Sequence, residues 1–330
     1  MTRHVVIGVD AGGTSTRCVV ATLAGEVVGY GRAGGANRFS SSDPEASLTA
    51  ALGQALAGAA DITVDQAVFG LAGAASGRDR ALDLAGRAWA AHGLPGQPHV
   101  TDDIAVAFAS GSAAPSGSVL IAGTGAVAAR VRDGAVERRC DGHGWLLGDE
   151  GSAVWIGVAG LRAVLATIDG RGPATALGAR LAAALGAGPG DAGALVRAAH
   201  ARPPADLGAL APEVTGAAAE GDPVARGIVA DAAGRLLADL EAVAPDTGQG
   251  AGPGEPVVFA GALLAGGPVA DAVRSGLHER RGAVPVQAVD GARGAAGLAL
   301  RRAGGPAEAH AAVLAAKGPS LEGPPPERVG

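Results

Sequence analysis

Apolar residues in the first hundred positions fall into short alternating segments and longer helical ones. Three strands are predicted near the start: 4–10 is apolar and β-branched, 14–23 alternates between apolar and polar residues, and 26–31 follows a tight turn at 24–25. A helix over 43–60 follows, with Asp43 or Ser42 as its cap and Pro44 in its first turn. The pattern then predicts a strand at 66–71, a helix at 78–92, a strand at 99–102 and a helical stretch after Asp103. Strands that alternate with helices indicate an α/β sheet.

The same plan begins again after residue 117. Strands are predicted at 118–122, 126–132 and 135–139, so the order strand, glycine turn, strand, turn, strand recurs, which indicates a diverged internal duplication. Ala- and Leu-rich helices broken by Gly and Pro fill 149–244. Strand, helix, strand and helix follow at 256–260, 267–281, 284–288 and 291–302, and we expect the Pro/Gly-rich tail over 303–330 to be loosely ordered.

Composition excludes several classes of function. A net charge of -6 and 2% aromatic residues argue against a nucleic-acid partner. The two cysteines, Cys18 and Cys140, are too few for a disulfide framework or a four-cysteine zinc site, which favours a cytoplasmic location. The uncharged stretch at 104–129 is broken by Gly, Ser and Pro, so we expect no membrane span. Lys317 is the sole lysine, so any phosphate site must bind without one.

The first glycine turn, residues 10–16, has the composition of an anion site. Gly12 and Gly13 allow successive backbone N–H groups to converge, and three hydroxyl side chains can donate to phosphate oxygens, those of Thr14, Ser15 and Thr16. Asp10, at a strand end, can hold hydrated magnesium. The alternative is an ordinary hairpin with a capping aspartate.

The second glycine turn is Gly123-Thr124-Gly125, and two readings of it compete. With Ala128 it matches a relaxed dinucleotide fingerprint, which requires a helix directly after the glycines. The residues that follow alternate instead and run into an Asp133-Gly134 turn, so we expect a strand there, which argues against the dinucleotide fingerprint.

Three further segments carry candidate chemistry. Asp102 and Asp103 end a strand, where a carboxylate could accept a proton from an alcohol or merely cap a helix. The glycine loop, residues 141–152, combines four glycines with polar side chains suited to a hydroxylated ligand, among them His143, Asp149 and Glu150. Small residues after the 256–260 strand, from Gly261 onward, could let an adenine lie against the backbone or form a plain βα turn.

In this order the motifs resemble those of the sugar kinase/Hsp70/actin ATPase superfamily. Residues 10–17 and 121–125 resemble its phosphate motifs, 261–267 its adenosine motif, and 70–73 and 294–300 its connecting segments. The strings Thr101-Asp102-Asp103 and Gly148-Asp149-Glu150-Gly151-Ser152 are similar to the BadF/BadG/BcrA/BcrD ATPase family.

The resemblance implies an α/β fold of two duplicated ribonuclease H-like (actin-like ATPase) domains with a central cleft. The domains would cover 1–115 and 116–290, the latter with a helical insertion, and the 291–302 helix would pack back on the first. It also implies ATP and Mg²⁺ as cofactors and an amino sugar as the small-molecule partner. We keep a homodimer as the candidate assembly.

The resemblance also assigns roles to residues. Asp103 would be the base for the sugar 6-hydroxyl, and Asp10 would position magnesium. The further sugar contacts would be Asn37, Gly142, His143, Asp149 and Glu150. The nucleotide would meet Gly12, Gly13, Thr14, Ser15, Thr16, Gly123, Thr124, Gly125, Gly261 and Ala262.

The expected activity is phosphorylation of an amino sugar at its 6-hydroxyl. At His143 the N-acetylglucosamine kinases of the family have Trp, and the smaller polar side chain favours D-glucosamine over N-acetylglucosamine. Other family members activate acyl-CoA dehydratases through an iron-sulfur cluster, but Cys18 and Cys140 do not form the spaced pair that such a cluster needs. A nicotinamide oxidoreductase and a non-catalytic, ATP-gated binding protein remain alternatives from other classes.

Overall fold

The computed structural model describes residues 2–13, 15–36, 43–59, 61–74, 77–244 and 254–316. Within these ranges the chain forms ten strands and twelve α-helices, with a 3-10 helix at Pro204–Leu210 between α6 and α7. In chain order they are β1 (Arg3–Ala11), β2 (Ser15–Thr22), β3 (Val27–Gly34), α1 (Pro44–Ala57), β4 (Ile62–Leu71), α2 (Arg78–Ala90), β5 (His99–Asp102), α3 (Asp103–Ala109), β6 (Gly117–Ala122), β7 (Ala126–Arg132), β8 (Ala135–Asp141), α4 (Ala153–Ile168), α5 (Leu177–Leu185), α6 (Ala192–His200), α7 (Ala211–Ala219), α8 (Pro223–Ala242), β9 (Val257–Ala260), α9 (Ala262–Ala265), α10 (Pro268–Arg281), β10 (Val286–Gln287), α11 (Gly291–Arg302) and α12 (Ala307–Ala315).

Two compact units make up the chain. The first contains Met1–Ala113 and Val289–Gly330, and the second contains Ala114–Ala288. The first therefore draws its last two helices, α11 and α12, from the far end of the sequence.

The first unit is built on a five-stranded sheet in the order β3-β2-β1-β4-β5. β1 pairs antiparallel with β2 and parallel with β4, and β4 pairs parallel with β5. Both faces are covered, because Val5, Ile7 and Val9 of β1 join the core beneath α1 and α2, while Val6 packs with α11. A strand buried on both faces reads as a continuous apolar run, as β1 does.

Close packing of α11 on β1 depends on Gly8. A Cβ at this position would lie 2.1 Å from the backbone nitrogen of Ala296, so only glycine lets the helix approach this strand. Since Asp10 follows on the same face of β1, this packing brings the start of α11 against Asp10.

The second unit repeats the sheet in the order β8-β7-β6-β9-β10. Its first three strands form an antiparallel meander and β6 pairs parallel with β9, as β1 does with β4. Its core includes Leu120, Phe259 and Leu236 of α8. The expectation of an α/β fold with a duplicated strand plan is confirmed.

The tail prediction is wrong for 307–315, which form α12. Val313 and His310 of this helix are fully buried, and it packs on α11. The Pro and Gly residues that suggested disorder flank a short Ala-rich segment with good helix propensity. Residues 317–330 lie outside the described part of the chain. None of the helices described is long and apolar enough to cross a bilayer.

Candidate functional site

Asp10 is the second-to-last residue of β1 and lies in a confined position beside the first glycine turn. Burial raises its pKa to about 6, an effect that Arg17 opposes and Asp290 reinforces. The start of α11 lies against it, since a Cβ on Gly291 would be 2.3 Å from Asp10 Oδ2. The turn itself is closed by the Gly12 N–H, which donates to the Ser15 carbonyl at 3.1 Å. A carboxyl group with a raised pKa therefore lies between the end of β1 and the start of α11.

The hydroxyl residues of the first turn do not all face Asp10. Asp10 and Arg17 are paired across β1 and β2 and share a face of the sheet, whereas Thr16 alternates to the opposite face. Thr16 is fully buried there and its Oγ1 has no hydrogen-bond partner. The Thr16 hydroxyl therefore lies on the face of the sheet opposite Asp10, and the phosphate contact predicted for this residue stays a prediction. Ser15 stays half-buried, and Thr14 lies outside the described residues.

The two adjacent aspartates at the end of β5 take different roles. Asp102 is the N-cap of α3, and its Oδ1 accepts the Ile104 N–H at 2.9 Å. Asp103 begins the helix, and burial, a hydrogen bond with the Asp102 side chain and the charge of Asp10 raise its pKa well above the usual range of a carboxyl group. The capping interpretation thus holds for Asp102, and Asp103, with its raised pKa, stays the candidate for the general base.

Asp10 and Asp103 belong to the same edge of the first sheet. β1, β4 and β5 are parallel neighbours, so their carboxyl ends lie side by side. With the usual spacing between strands, about 10 Å separates β1 from β5. Among the described residues no group of three or more His, Cys, Asp or Glu side chains is arranged to hold a metal ion. Hard carboxylate oxygens suit magnesium held by one or two protein groups together with phosphates and water, so Asp10 fits that cation.

A cavity of about 930 Å³ opens at the carboxyl ends of β1 and β4. Its walls include Ala11 and Leu71, the last residues of those strands, and Ala36. Pockets of this size accept small-molecule ligands. Asn37, which follows Ala36, lies outside the described residues, so its sugar contact stays a prediction.

The second glycine turn joins two strands, β6 and β7. Because β7 is a strand and no helix follows the turn, the dinucleotide-binding alternative is wrong. The Gly123 N–H donates to the Gly125 carbonyl at 2.9 Å, and the Ala153 N–H at the start of α4 donates to the Gly123 carbonyl at 2.8 Å. The turn is thus fixed by its own backbone and by α4.

The predicted adenosine segment lies against the second glycine turn. Gly261 has φ +91, and a Cβ there would be 2.2 Å from the Ala122 carbonyl oxygen, directly before Gly123. Gly261 and Ala262 are both exposed. The second unit thus brings together the phosphate and adenosine segments that the resemblance implies.

The glycine loop is organised by Asp141, which sequence reasoning did not single out. Its carboxylate accepts the N–H of Asp149 at 2.9 Å and of Glu150 at 2.7 Å. Arg139 donates to the carbonyls of Asp141 and Gly142. The one signal in the sequence was that an acid stands directly before Gly142 at a strand end.

The side chains expected to bind sugar differ in availability. Asp149 is half-buried, and burial raises its pKa while the Ala126 and Gly144 amides oppose that rise. Glu150 is paired with Arg235 of α8, whose guanidinium lies 4.8 Å over the Trp155 ring. His143 is exposed. Asp149 and His143 are thus more available to a ligand than Glu150.

The fold itself defines the class of protein. The fold matches the crystal structure of a candidate N-acetylglucosamine kinase from Chromobacterium violaceum, with a TM-score of 0.66 and 24% sequence identity. The match covers 90% of this chain and 99% of that one. A ROK family glucokinase from Streptomyces griseus, solved with glucose and AMPPNP, matches with a TM-score of 0.52 and 18% identity, over 89% of this chain and 98% of that one. The chain therefore has the fold of the sugar kinases and actin-like ATPases.

Sequence comparison narrows this class to a family. The model of the BadF/BadG/BcrA/BcrD ATPase family matches residues 7–299, so the chain belongs to that family. A curated relative, the N-acetylmuramic acid/N-acetylglucosamine kinase of Clostridium acetobutylicum, is 31% identical in an alignment of 184 residues that covers 52% of this chain. The match spans 57% of the length of that relative. The family expected from the motifs is confirmed.

Proposed function

We propose that the protein is an ATP- and magnesium-dependent kinase that phosphorylates an amino sugar at its 6-hydroxyl. The observation that carries this is the placement of Asp103 and Asp10 at the carboxyl ends of the parallel strands β5 and β1 of one sheet. Asp103 is a half-buried carboxyl group with a raised pKa, and Asp10 is an acid beside a glycine turn. Family membership supports ATP as the phosphate donor.

The residues of each unit have distinct tasks in this proposal. Asp103 accepts the proton of the sugar 6-hydroxyl while the hydroxyl oxygen forms a bond to the γ-phosphorus of ATP. The bond between that phosphorus and the oxygen that bridges it to the β-phosphate breaks, and ADP leaves. Asp10 would hold magnesium, which neutralises charge on the phosphates when bound. The backbone of the second glycine turn and Gly261 would bind the nucleotide, and Asp149 would bind sugar hydroxyls.

N-acetylglucosamine is the substrate best supported, in place of the glucosamine expected from His143. The names of the Clostridium relative and of the Chromobacterium protein both refer to N-acetylglucosamine. Glucosamine is the second candidate substrate. Its 2-amino group is not acylated, and the exposed polar side chain of His143 in the glycine loop could contact it.

The dehydratase-activator alternative loses support from the cysteines. Cys18 is fully buried in β2, and burial raises the pKa of its thiol, so it disfavours the thiolate that ligates iron. Cys140 belongs to the other unit. A non-catalytic ATP-binding role remains open to direct assay.

The test is ADP release measured with N-acetylglucosamine, glucosamine, N-acetylmuramic acid and glucose, against a control without sugar. Asp103→Asn should lower kcat by at least about 100-fold, because the lost base contributes that much to proton transfer, while nucleotide binding persists. Asp191→Asn, which changes the exposed N-cap of α6 in the same chemical way, is the matched control. Sugar-independent ADP release, or an active Asp103→Asn enzyme, would contradict the proposal.

A further inference from the structure

Asp141 occupies a position that ordinary strand residues avoid. It ends β8 with φ +64, in the left-handed region, and its side chain is 8% exposed. Aspartate tolerates this conformation better than most residues, yet burying a carboxylate is costly unless it is hydrogen-bonded. Its partners must therefore account for its placement.

Each carboxylate oxygen of Asp141 has its own backbone donor. Oδ1 accepts the Asp149 N–H at 2.9 Å, with the His143 N–H at 3.5 Å, and Oδ2 accepts the Glu150 N–H at 2.7 Å. These bonds span eight and nine residues and close the glycine loop at its base. Hydrogen bonds to an ionised acceptor are stronger than those between neutral groups.

The loop backbone is shaped to admit this carboxylate. A Cβ on Gly148 would lie 2.1 Å from Asp141 Oδ1, so glycine is required where the returning chain passes the acid. Arg139 holds the carbonyls of Asp141 and Gly142 from the other side. Asp141 is thus held at the centre of the base of the loop.

The closure determines where Asp149 points. Asp149 has φ +55, and its carboxylate lies against the second glycine turn, where a Cβ on Gly125 would be 2.8 Å from Oδ2. A left-handed conformation at a non-glycine residue needs support from its surroundings, and the bond from its N–H to Asp141 supplies that support.

We propose that Asp141 is a positioning residue for sugar binding: it fixes the backbone of Asp149 and Glu150 so that Asp149 faces the sugar while abutting the second glycine turn. This inference rests on the proposed kinase function. Asparagine cannot replace the acid, because it has only one side-chain oxygen. Its NH2 group, a donor, would point at one of the two backbone N–H groups, which need an acceptor.

The test compares Asp141→Asn with Asp133→Asn. Asparagine tolerates the left-handed region, so the fold should persist, and Asp133 has φ +51 in the exposed β7–β8 turn of the same unit. Losing a charge-assisted hydrogen bond should raise the sugar KM by ~10- to 100-fold, with kcat and the ATP KM within about threefold of wild type. Asp133→Asn should match wild type.

A readout independent of activity is amide hydrogen exchange over 142–150. Asp141→Asn should exchange faster there than wild type, and Asp133→Asn should not. Unchanged exchange or an unchanged sugar KM in Asp141→Asn would overturn the positioning role. A fall in kcat alone would also overturn it, because that result would indicate only a smaller fraction of folded enzyme. Failure of the wild type to release ADP with any sugar would instead overturn the proposed function, and with it the sugar role.

Discussion

His310 of α12 should make the first unit sensitive to acid. Its ring is fully buried, its Nε2–H donates to the Ala109 carbonyl at 2.8 Å, and Nδ1 is buried without a partner. A second proton on this ring would sit on Nδ1, where it would be buried without a hydrogen-bond acceptor. Burial therefore lowers the pKa of His310 from 6.5 to about 4. The folded state therefore resists protonation that the unfolded chain accepts.

The sign and size of the effect follow from linkage. Because the folded pKa lies below the unfolded value, the stabilisation is present above about pH 6.5 and is lost as the pH falls toward 4. With 1.36 kcal/mol per pKa unit, the free energy of unfolding should fall by about 2 kcal/mol between neutral pH and pH 5 through this residue alone.

The perturbation that isolates this effect is His310→Gln. Glutamine cannot titrate and can keep a donor toward the Ala109 carbonyl, so the variant should lose about 2 kcal/mol less than wild type between pH 7.5 and pH 5. Urea unfolding at several pH values measures this, and amide exchange over 291–316 assigns it to the first unit. His200→Gln, at an exposed end of α6, should keep the wild-type pH profile.

Parallel pH profiles for wild type and His310→Gln would refute the reasoning, since the buried ring would then carry no linkage. A variant that is uniformly less stable at all pH values would show only a packing cost. The informative quantity is therefore the difference in slope between the two profiles.

Three further predictions concern the rest of the chain. Gly125→Ala should raise the sugar KM by about tenfold, because the new methyl group would displace the Asp149 carboxylate 2.8 Å away; an unchanged KM would count against that contact. Arg130→Met should lower the free energy of unfolding by about 3 kcal/mol, because Arg130 is 4% exposed and binds both carboxylate oxygens of Glu255; urea unfolding that matches wild type would contradict this. Gly86→Ala, inside α2 with nothing within 4 Å of the new methyl group, should stabilise by about 1 kcal/mol, and a lower melting temperature would show an unseen clash.

Sequence patterns predicted most elements because their periodicity is local. The apolar, β-branched run at 4–10 and the helical spacing at 78–92 correspond closely to β1 and α2. Local patterns also placed Asp10 and Asp103 at strand ends, where parallel pairing brings them to one edge. The sequence pattern did not predict α12, because the segments on either side of it are rich in Pro and Gly. The helix propensity of its nine residues was outweighed by the composition around them.

Site residues that depend on long-range contacts were not predictable in this way. Asp141 acts through amides eight and nine positions away, and Gly291 matters because it meets Asp10, far away in sequence. The orientation of Thr16 was not predictable for another reason: a turn motif gives residue types, but the register of β2 decides which hydroxyl shares a face with Asp10.

The two sheets share one strand plan but place an acid beside the glycine turn in different ways. In the first unit Ala11 pairs with Thr16 at the turn, and Asp10 precedes that pair. In the second unit Ala122 pairs with Ala126 at the turn, and Ile121 precedes them where the first unit has its acid. The second turn receives its carboxylate from Asp149, held by Asp141 after β8. The acid of the first turn is fixed by its strand, whereas that of the second depends on a loop. The second turn should therefore be the one whose geometry a single change at Asp141 can alter.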